Sequence, residues 1–221
     1  MRTGAAFSRW EHRYGVVLFL ILSSLVFQLA ASDQDWARLV AIALQGATLI
    51  AALSASQTPR VIARPATIIV ALAVLGSAAA LIGFGQFGTT AGRLVAALLI
   101  ALAPVAIATG VLRDVRAEGT VTLHTMFGVL CIYLLIGMLF AFADGLVGDA
   151  LSEPFFASRI NADISDYLYF SFATLTTVGY GDLTAATDVG RSMAIAEALI
   201  GQIYLVTVVA VIVGNLSRRR A

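Results

Sequence analysis

Residues 177–182, with the sequence TVGYGD, combine two glycines, one aromatic and one carboxylate. Glycine adopts backbone angles that are closed to other residues, so Gly179 and Gly181 allow the carbonyls from Thr177 to Gly181 to turn toward a common axis. Carbonyls stacked in this way by several copies of a chain can replace the hydration shell of a cation. The alternative is a glycine-rich hairpin turn, which Gly-Tyr-Gly-Asp alone also allows. The flanking sequence has to decide between the two.

The stretch before this motif predicts a short helix. The aromatic run Tyr167–Thr176 amounts to about three helical turns, and Ser165 or Asp166 is available as its N-cap. A helix of this length cannot cross a bilayer. We therefore expect a re-entrant helix that enters the membrane and ends at the motif.

The overall composition is that of an all-α membrane protein that crosses the bilayer several times. Hydrophobic residues make up 60% of the 221, charged residues 12%, and the mean hydropathy is +0.93. The single cysteine, Cys131, has no partner for an intrachain disulfide. We expect no catalysis, no cofactor and no nucleic-acid partner, while membrane lipids must surround the chain.

Six apolar runs are long enough to predict transmembrane helices. They are Tyr14–Ala31, Trp36–Ser56, Pro65–Phe84, Ala91–Leu112, Val121–Ala143 and Val189–Leu216. Charged residues at 113–118 predict a break after the fourth run, and residues 144–166 predict an acidic loop. Cleavage of the first run as a signal peptide, after Leu29-Ala30-Ala31, is an open alternative.

The distribution of arginines predicts the orientation. With six spans, ten of the fourteen arginines lie on the side of the two termini and four on the other. The four are Arg38, Arg93, Arg159 and Arg191. Positive residues concentrate on the cytoplasmic side, so both termini are expected in the cytoplasm of a cell membrane, with the acidic loop outside. We expect no soluble regulatory domain.

The sequence TVGYG followed by aspartate is the known signature of the potassium-channel filter, and the chain resembles that family from Val121 to Arg220. The resemblance implies a homotetramer in which four copies of the filter surround one pore. It implies potassium, as the permeant ion and not a cofactor, at Thr177, Val178, Gly179 and Tyr180, with Gly181 completing the filter.

The resemblance also implies roles for the residues around the filter. The Thr177 hydroxyl is the innermost ligand, with Thr176 in support. The Tyr180 ring packs against Tyr169 and Phe170, and Asp182 lies at the outer mouth, either attracting cations or stabilising the turn. Gly201 is a gating hinge or a site of close helix packing. The cavity or gate would be lined by Gln202, Leu205, Val209 and Val213. Where some potassium channels carry a carboxylate on the pore helix, this chain has Ala173.

Glu197 is an acidic residue well inside a predicted span, which makes it a functional candidate. It either hydrogen-bonds behind the pore helix or titrates as a proton sensor.

The first four helices resemble a voltage sensor in number but not in charge. The fourth run contains Arg93 alone, near one end, where voltage-gated relatives carry arginine at every third position. We therefore predict a peripheral four-helix domain over residues 1–118 that senses voltage weakly or not at all, and a pore domain over 119–221.

The sequence as a whole predicts a potassium-selective channel that conducts passively. Two alternatives remain, a subunit of a potassium-uptake transporter and a non-conducting regulatory subunit. The intact single filter disfavours both, because uptake systems of that kind carry four degenerate hairpins in one chain and a non-conducting pore would be expected to have decayed.

Overall fold

The computed structural model describes residues 13–31, 34–84, 89–118, 122–151 and 153–218. Over these ranges the chain forms seven α-helices and no β-strand. The helices are α1 (Arg13–Ala30), α2 (Asp35–Ala55), α3 (Arg60–Phe84), α4 (Thr89–Glu118), α5 (Leu123–Ala150), α6 (Ile164–Leu175) and α7 (Asp188–Arg218). The chain is thus all-α over the described residues.

Four stretches are long and apolar enough to cross a membrane by length and composition. They are Asp35–Ala55, Thr90–Ala117, Leu123–Ala150 and Asp188–Val211. Shorter apolar helical stretches cover Tyr14–Ala30 and Ala63–Ala79. These helices support an all-α membrane protein, and crossing by all six remains a prediction.

Helix α1 buries one face and exposes the other although both are largely apolar. The buried residues recur every three or four positions, as one face of a helix requires, at Tyr14, Val17, Ile21, Ser24 and Gln28. The opposite face exposes Val16, Phe19, Leu22 and Val26. The buried face packs on α2 and α5, so α1 connects the peripheral helices with the pore helices.

Helices α4 and α5 form the most extensive helix pair, antiparallel along most of their length. At one end a β-carbon on Gly128 would lie 2.6 Å from Val111, and at the other a β-carbon on Gly145 would lie 3.2 Å from the Arg93 side chain. Small residues let the two backbones approach closely. A single continuous core cluster runs from Tyr14 through α4 and α5 to Ala185.

Three helix boundaries differ from the predictions. The charged residues 113–118 do not break the chain but form the last turns of α4, because charges at a helix end can still reach water. Helix α5 continues through Asp144 to Ala150, so the expected acidic loop begins later. Helix α3 begins at Arg60, and Pro65 lies inside it rather than at its start.

The close approach of α4 to α2 predicts a measurable effect of one methyl group. A β-carbon on Gly110 would lie 2.8 Å from the backbone Cα of Ser56, so Gly110→Ala is expected to destabilise the protein by about 1–3 kcal/mol through overpacking. Denaturant titration in detergent, followed by the loss of helical signal, measures the change.

Gly76→Ala is the matched control, because a β-carbon there meets nothing within 4 Å. We expect it to be neutral or slightly stabilising, since alanine favours a helix over glycine. Equal stability of the two variants would contradict the packing described for α4 and α2.

Candidate functional site

The short helix α6 starts at a cap that the sequence analysis assigned to the wrong residue. The N-cap is Asp163, not Ser165 or Asp166, and its carboxylate accepts hydrogen bonds from the amides of Ser165 at 2.9 Å and Asp166 at 3.1 Å. Asp166 completes a capping box by accepting from the Asp163 amide, and it also accepts a hydrogen bond from Arg159. Helix α6 therefore spans Ile164–Leu175 and not the predicted Tyr167–Thr176.

The helix ends abruptly at the motif. Thr176 caps it, and Thr177 takes a φ of 58°, a left-handed conformation that is uncommon for a β-branched residue. The amides of Val178 and Gly179 turn back and donate to the Ala173 carbonyl at 2.9 and 3.1 Å. A non-glycine residue held in this conformation stores about 1–3 kcal/mol of strain. The sequence analysis expected special angles at the glycines but not at Thr177.

Residues 177–181 leave their carbonyls free of hydrogen bonds. Gly179 and Gly181 have φ of 54° and 81°, in the region that glycine favours. No residue in the described part of the chain donates a hydrogen bond to any of the five carbonyls. Residues Val178 and Tyr180 are 52% and 71% exposed in the single chain. Five unbonded carbonyls in sequence are what coordination of a dehydrated cation requires.

Tyr169 holds the outer end of the motif. Its ring stacks on the Tyr180 ring at 6.1 Å and 8°, and its hydroxyl donates to Asp182 Oδ1 at 3.1 Å. Desolvation, followed by this hydrogen bond, raises the pKa of Tyr169 above its ordinary value. The hydroxyl therefore keeps its proton at physiological pH. Asp182 takes part in bonding at the turn, one of the two roles considered for it.

Phe170 does not join this stack, contrary to the prediction. It is buried on another side of α6, in an aromatic cluster with Phe155, Phe156 and Tyr167, where ring centroids lie 4.9–6.0 Å apart. Successive residues of a helix point in directions about 100° apart, so Tyr169 and Phe170 cannot both face Tyr180.

A short antiparallel pairing ties the residues after the motif to the loop before α6. Phe156 bridges Ala185, the Ala157 amide donates to the Thr184 carbonyl at 2.9 Å, and the Ala186 amide donates to the Phe155 carbonyl at 2.8 Å. Ser158 Oγ also donates to the Asp182 carbonyl at 2.8 Å. Sequence reasoning missed Phe155 and Phe156, although two adjacent aromatics in an otherwise polar loop were a usable signal.

Two glycines line the inner part of α6 from opposite helices. A β-carbon on Gly137 of α5 would lie 3.0 Å from the Phe172 ring, and one on Gly201 of α7 would lie 2.5 Å from the Leu175 carbonyl. The Tyr133 hydroxyl donates to that same carbonyl at 3.2 Å. Gly201 is therefore at a site of close packing, and its role as a hinge remains a prediction.

The inner end of the motif contacts α7 directly. Gln202 Nε2 donates to Thr177 Oγ1 at 3.1 Å, and Thr176 Oγ1 donates to the Phe172 carbonyl at 2.6 Å. Leu205 and Val209 are exposed in the single chain, and the Val213 side chain lies outside what the structure describes. Among the predicted cavity residues whose side chains are described, Gln202 hydrogen-bonds to the motif.

Two carboxyl groups are buried behind α6. Glu197 is 0% exposed and hydrogen-bonds to Ser171, which is one of the two interpretations considered for it. Asp144 of α5 is also 0% exposed, and neither of its carboxyl oxygens has a hydrogen-bond partner among the described residues. Sequence reasoning put Asp144 in a solvated loop, and only the extra turns of α5 bury it.

Arg93 connects the peripheral helices to this site. Its Nη1 donates to Asp149 Oδ1 at 2.6 Å and to the Gly145 carbonyl at 3.0 Å, and its guanidinium lies 5.0 Å from the centre of the Tyr167 ring. Burial raises the pKa of Tyr167, and Arg93 partly opposes that shift. The expected lone charge of α4 is thus bound to α5 and α6.

No metal-ligand cluster is found among the described residues, where no three His, Cys, Asp or Glu side chains gather.

Comparison with known proteins assigns the same region to a family. Residues 128–218, from α5 to the end of α7, match a family model described as "Ion channel". The chain is also similar to Protein LctB of Geobacillus stearothermophilus, with 46% identity over 56 residues, which are 25% of this chain and 41% of that protein. The alignment thus spans less than half of this relative. The family match supports an ion channel, a non-enzymatic transport protein of a membrane.

The Arg93 contacts predict a strong energetic coupling. Arg93→Gln removes the ion-pair partner of Asp149, which keeps a hydrogen bond from Thr90, and is expected to cost roughly 3 kcal/mol. The side chains are 9% and 19% exposed. The double variant with Asp149→Asn should lose less than the sum of the two single variants, by about 1–3 kcal/mol.

Denaturation of the four proteins of this cycle in detergent measures the coupling. Arg38→Gln with Asp35→Asn is the matched control, a pair three residues apart at the start of α2, for which about 0.3–0.5 kcal/mol is expected. Additive effects at Arg93 and Asp149 would contradict the interpretation.

Proposed function

We propose that this chain, whose residues 128–218 carry an ion-channel domain, is the subunit of a homotetrameric channel that conducts potassium passively. The observation that carries the proposal is the run of five unbonded carbonyls in the sequence TVGYG. Each chain supplies one such run, and four would surround a common axis. Potassium would occupy sites formed by Thr177, Val178, Gly179 and Tyr180.

Selectivity for potassium requires that the carbonyls keep their spacing. The contacts of the motif support this at both ends, with Tyr169 and Ser158 on Asp182 and Gln202 on Thr177. Left-handed angles at residues 177, 179 and 181 alternate with ordinary ones. Such alternation lets successive carbonyls face the same way, where a uniform strand would point them in opposite directions.

The exposed apolar surface of the single chain supports assembly with further copies. Within the described chain α7 packs mainly on α5 and α6, and it exposes Ile195, Leu199, Ile203 and Val206. Lipid can cover a helix in this way, but the exposed Val178 and Tyr180 follow a re-entrant helix rather than a spanning one. In a closed ring of subunits, the motifs of the neighbouring copies would cover these two residues.

The arginines at the two ends of the helix bundle agree with six membrane crossings and with both termini in the cytoplasm. Arg93 and Arg159 lie at the end of the bundle where α6 begins. Arg113, at the other end of α4, donates to the carbonyls of Ser56 and Gln57. Helices α2 and α4 thus end on the same side of the bundle, and the arginine distribution favours the orientation.

A subunit of a potassium-uptake system, in which a filter-like hairpin serves an energised cycle, is the second candidate. The matched region includes one hairpin of this kind, and flux without an energy source separates the two. We further propose that gating depends weakly on voltage, because Arg93 is bound to Asp149 and the Gly145 carbonyl and cannot cross the field freely.

Reconstitution tests conduction directly. In liposomes with a potassium gradient and no energy source, we expect potassium flux that sodium does not support and that barium blocks. Gly179→Ala should lower this flux at least about tenfold, because a residue with a β-carbon costs roughly 1–2 kcal/mol in a left-handed conformation. A fluorescent flux assay measures both.

Gly76→Ala is the control for an alanine elsewhere in the chain. Equal sodium and potassium flux would overturn the selectivity, and flux only in the presence of ATP or an ion gradient that drives transport would favour the uptake system.

The voltage dependence is testable in planar bilayers. Each elementary charge that crosses the field contributes about 2.3 kcal/mol per 100 mV, and the structure ties the one arginine of the membrane-embedded part of α4 to α5. We expect the open probability to change gradually over the accessible range. A steep, saturating rise equivalent to several charges per tetramer would refute the proposal.

A further inference from the structure

Ser171, in the middle of α6, stands between two oxygen atoms. Its Oγ lies 2.6 Å from the Gly137 carbonyl of α5 and is also hydrogen-bonded to Glu197 Oε1 of α7. Ser171 and Glu197 are both 0% exposed. One hydroxyl therefore joins three helices at a place that water does not reach.

Counting protons limits how this arrangement can be bonded. A serine hydroxyl carries one hydrogen, and a peptide carbonyl carries none. If the hydroxyl donates to Gly137, the contact with Glu197 is a hydrogen bond only when the carboxyl group supplies the proton. If Glu197 were ionised, two acceptors would compete for one hydrogen, and an unpaired buried acceptor is costly.

The groups that face Glu197 do not compensate a negative charge. From α5 these are Asp144 and Tyr133, and from α6 the hydroxyl of Ser171. Within the described chain Glu197 makes no salt bridge, and no group there hydrogen-bonds to its Oε2. An isolated buried carboxylate is unfavourable by far more than a buried neutral acid.

We infer that Glu197 is a neutral carboxylic acid that donates its proton to Ser171 and thereby fixes α7 against the pore helix. In the channel proposed above, on which this inference rests, Glu197 is a positioning residue for the filter. It does not touch the permeant ion.

The position of Glu197 on α7 explains how it would act on the filter. Glu197, Gly201 and Gln202 contact the pore region at three successive points, namely Ser171, the Leu175 carbonyl and the Thr177 hydroxyl. Gly201 leaves no room for α7 to move closer. Losing the Glu197 bond would let α7 move away, and Gln202 would withdraw from the innermost ligand of the filter.

The first test reads the protonation state without requiring conduction. The infrared difference spectrum between wild type and Glu197→Gln at neutral pH should contain the carbonyl band of a protonated carboxylic acid. If the lost band is that of an ionised carboxylate, the inference is overturned. Asp144→Asn identifies the band of the other buried acid, so that the two are not confused.

The second test measures flux selectivity against pH. Glutamine is neutral and can donate to Ser171, so Glu197→Gln should keep the ratio of potassium to sodium flux within about threefold of wild type, and Glu197→Ala should lower it about tenfold through the lost buried bond. The wild-type ratio should fall at alkaline pH, because the bond requires the protonated form, and Glu197→Gln should abolish that fall. A collapse of selectivity in Glu197→Gln at neutral pH, or an alkaline fall that it preserves, would refute the positioning role.

The two tests separate this inference from the proposed function. Absence of wild-type flux with the acid band present would contradict conduction alone. Selective wild-type flux with an ionised Glu197 would contradict the inference alone.

Discussion

The carbonyls from Thr177 to Gly181 receive no hydrogen bond from the described residues. Contacts to other atoms of the segment must therefore fix its conformation. Backbone carbonyls normally find partners in helices and sheets. Here the segment is held through other atoms: the amides of Val178 and Gly179, the side chains of Thr177 and Tyr180, and the carboxylate and carbonyl of Asp182. The supporting residues come from α6, α7 and the loop before α6.

The contacts that support the segment also limit what can move. At Gly137 and Gly201, α5 and α7 lie so close to α6 that an added β-carbon would crowd atoms of α6. The peripheral helices join the same core, with α4 along α5 and Arg93 bound beside Tyr167. The division at residue 118 is a useful description of the sequence, but the packing is continuous across it. A voltage sensor needs a helix that slides past its neighbours, and α4 is bound along its length.

Local patterns in the sequence predicted most of the helices and the motif. Long apolar runs predicted the long helices, because apolar side chains are the main requirement of a helix that faces lipid. The glycines at 179 and 181 predicted the special backbone angles found there. The boundaries failed where a charged residue continued a helix, as at Asp144 and at residues 113–118. The supporting contacts could not be predicted, because they join distant positions: Ser171 to Gly137, Tyr133 to Leu175, and Arg93 to Asp149. Which face of α1 is buried was equally hidden, since apolar residues cover both.

The packing of α1 has a consequence for biosynthesis. Cys131 Sγ lies 3.8 Å from the Tyr14 carbonyl across 117 residues of sequence, so α1 is made long before its partner on α5. Until α5 has been translated, the buried face of α1 lacks the contacts with α5 that it has in the finished fold. Gln28 bonds within its own helix to Ser24 and accepts from Gln45 of α2, a partner that follows soon after. The polar side chains of α1 can thus be paired within α1 and with α2 before α5 is made.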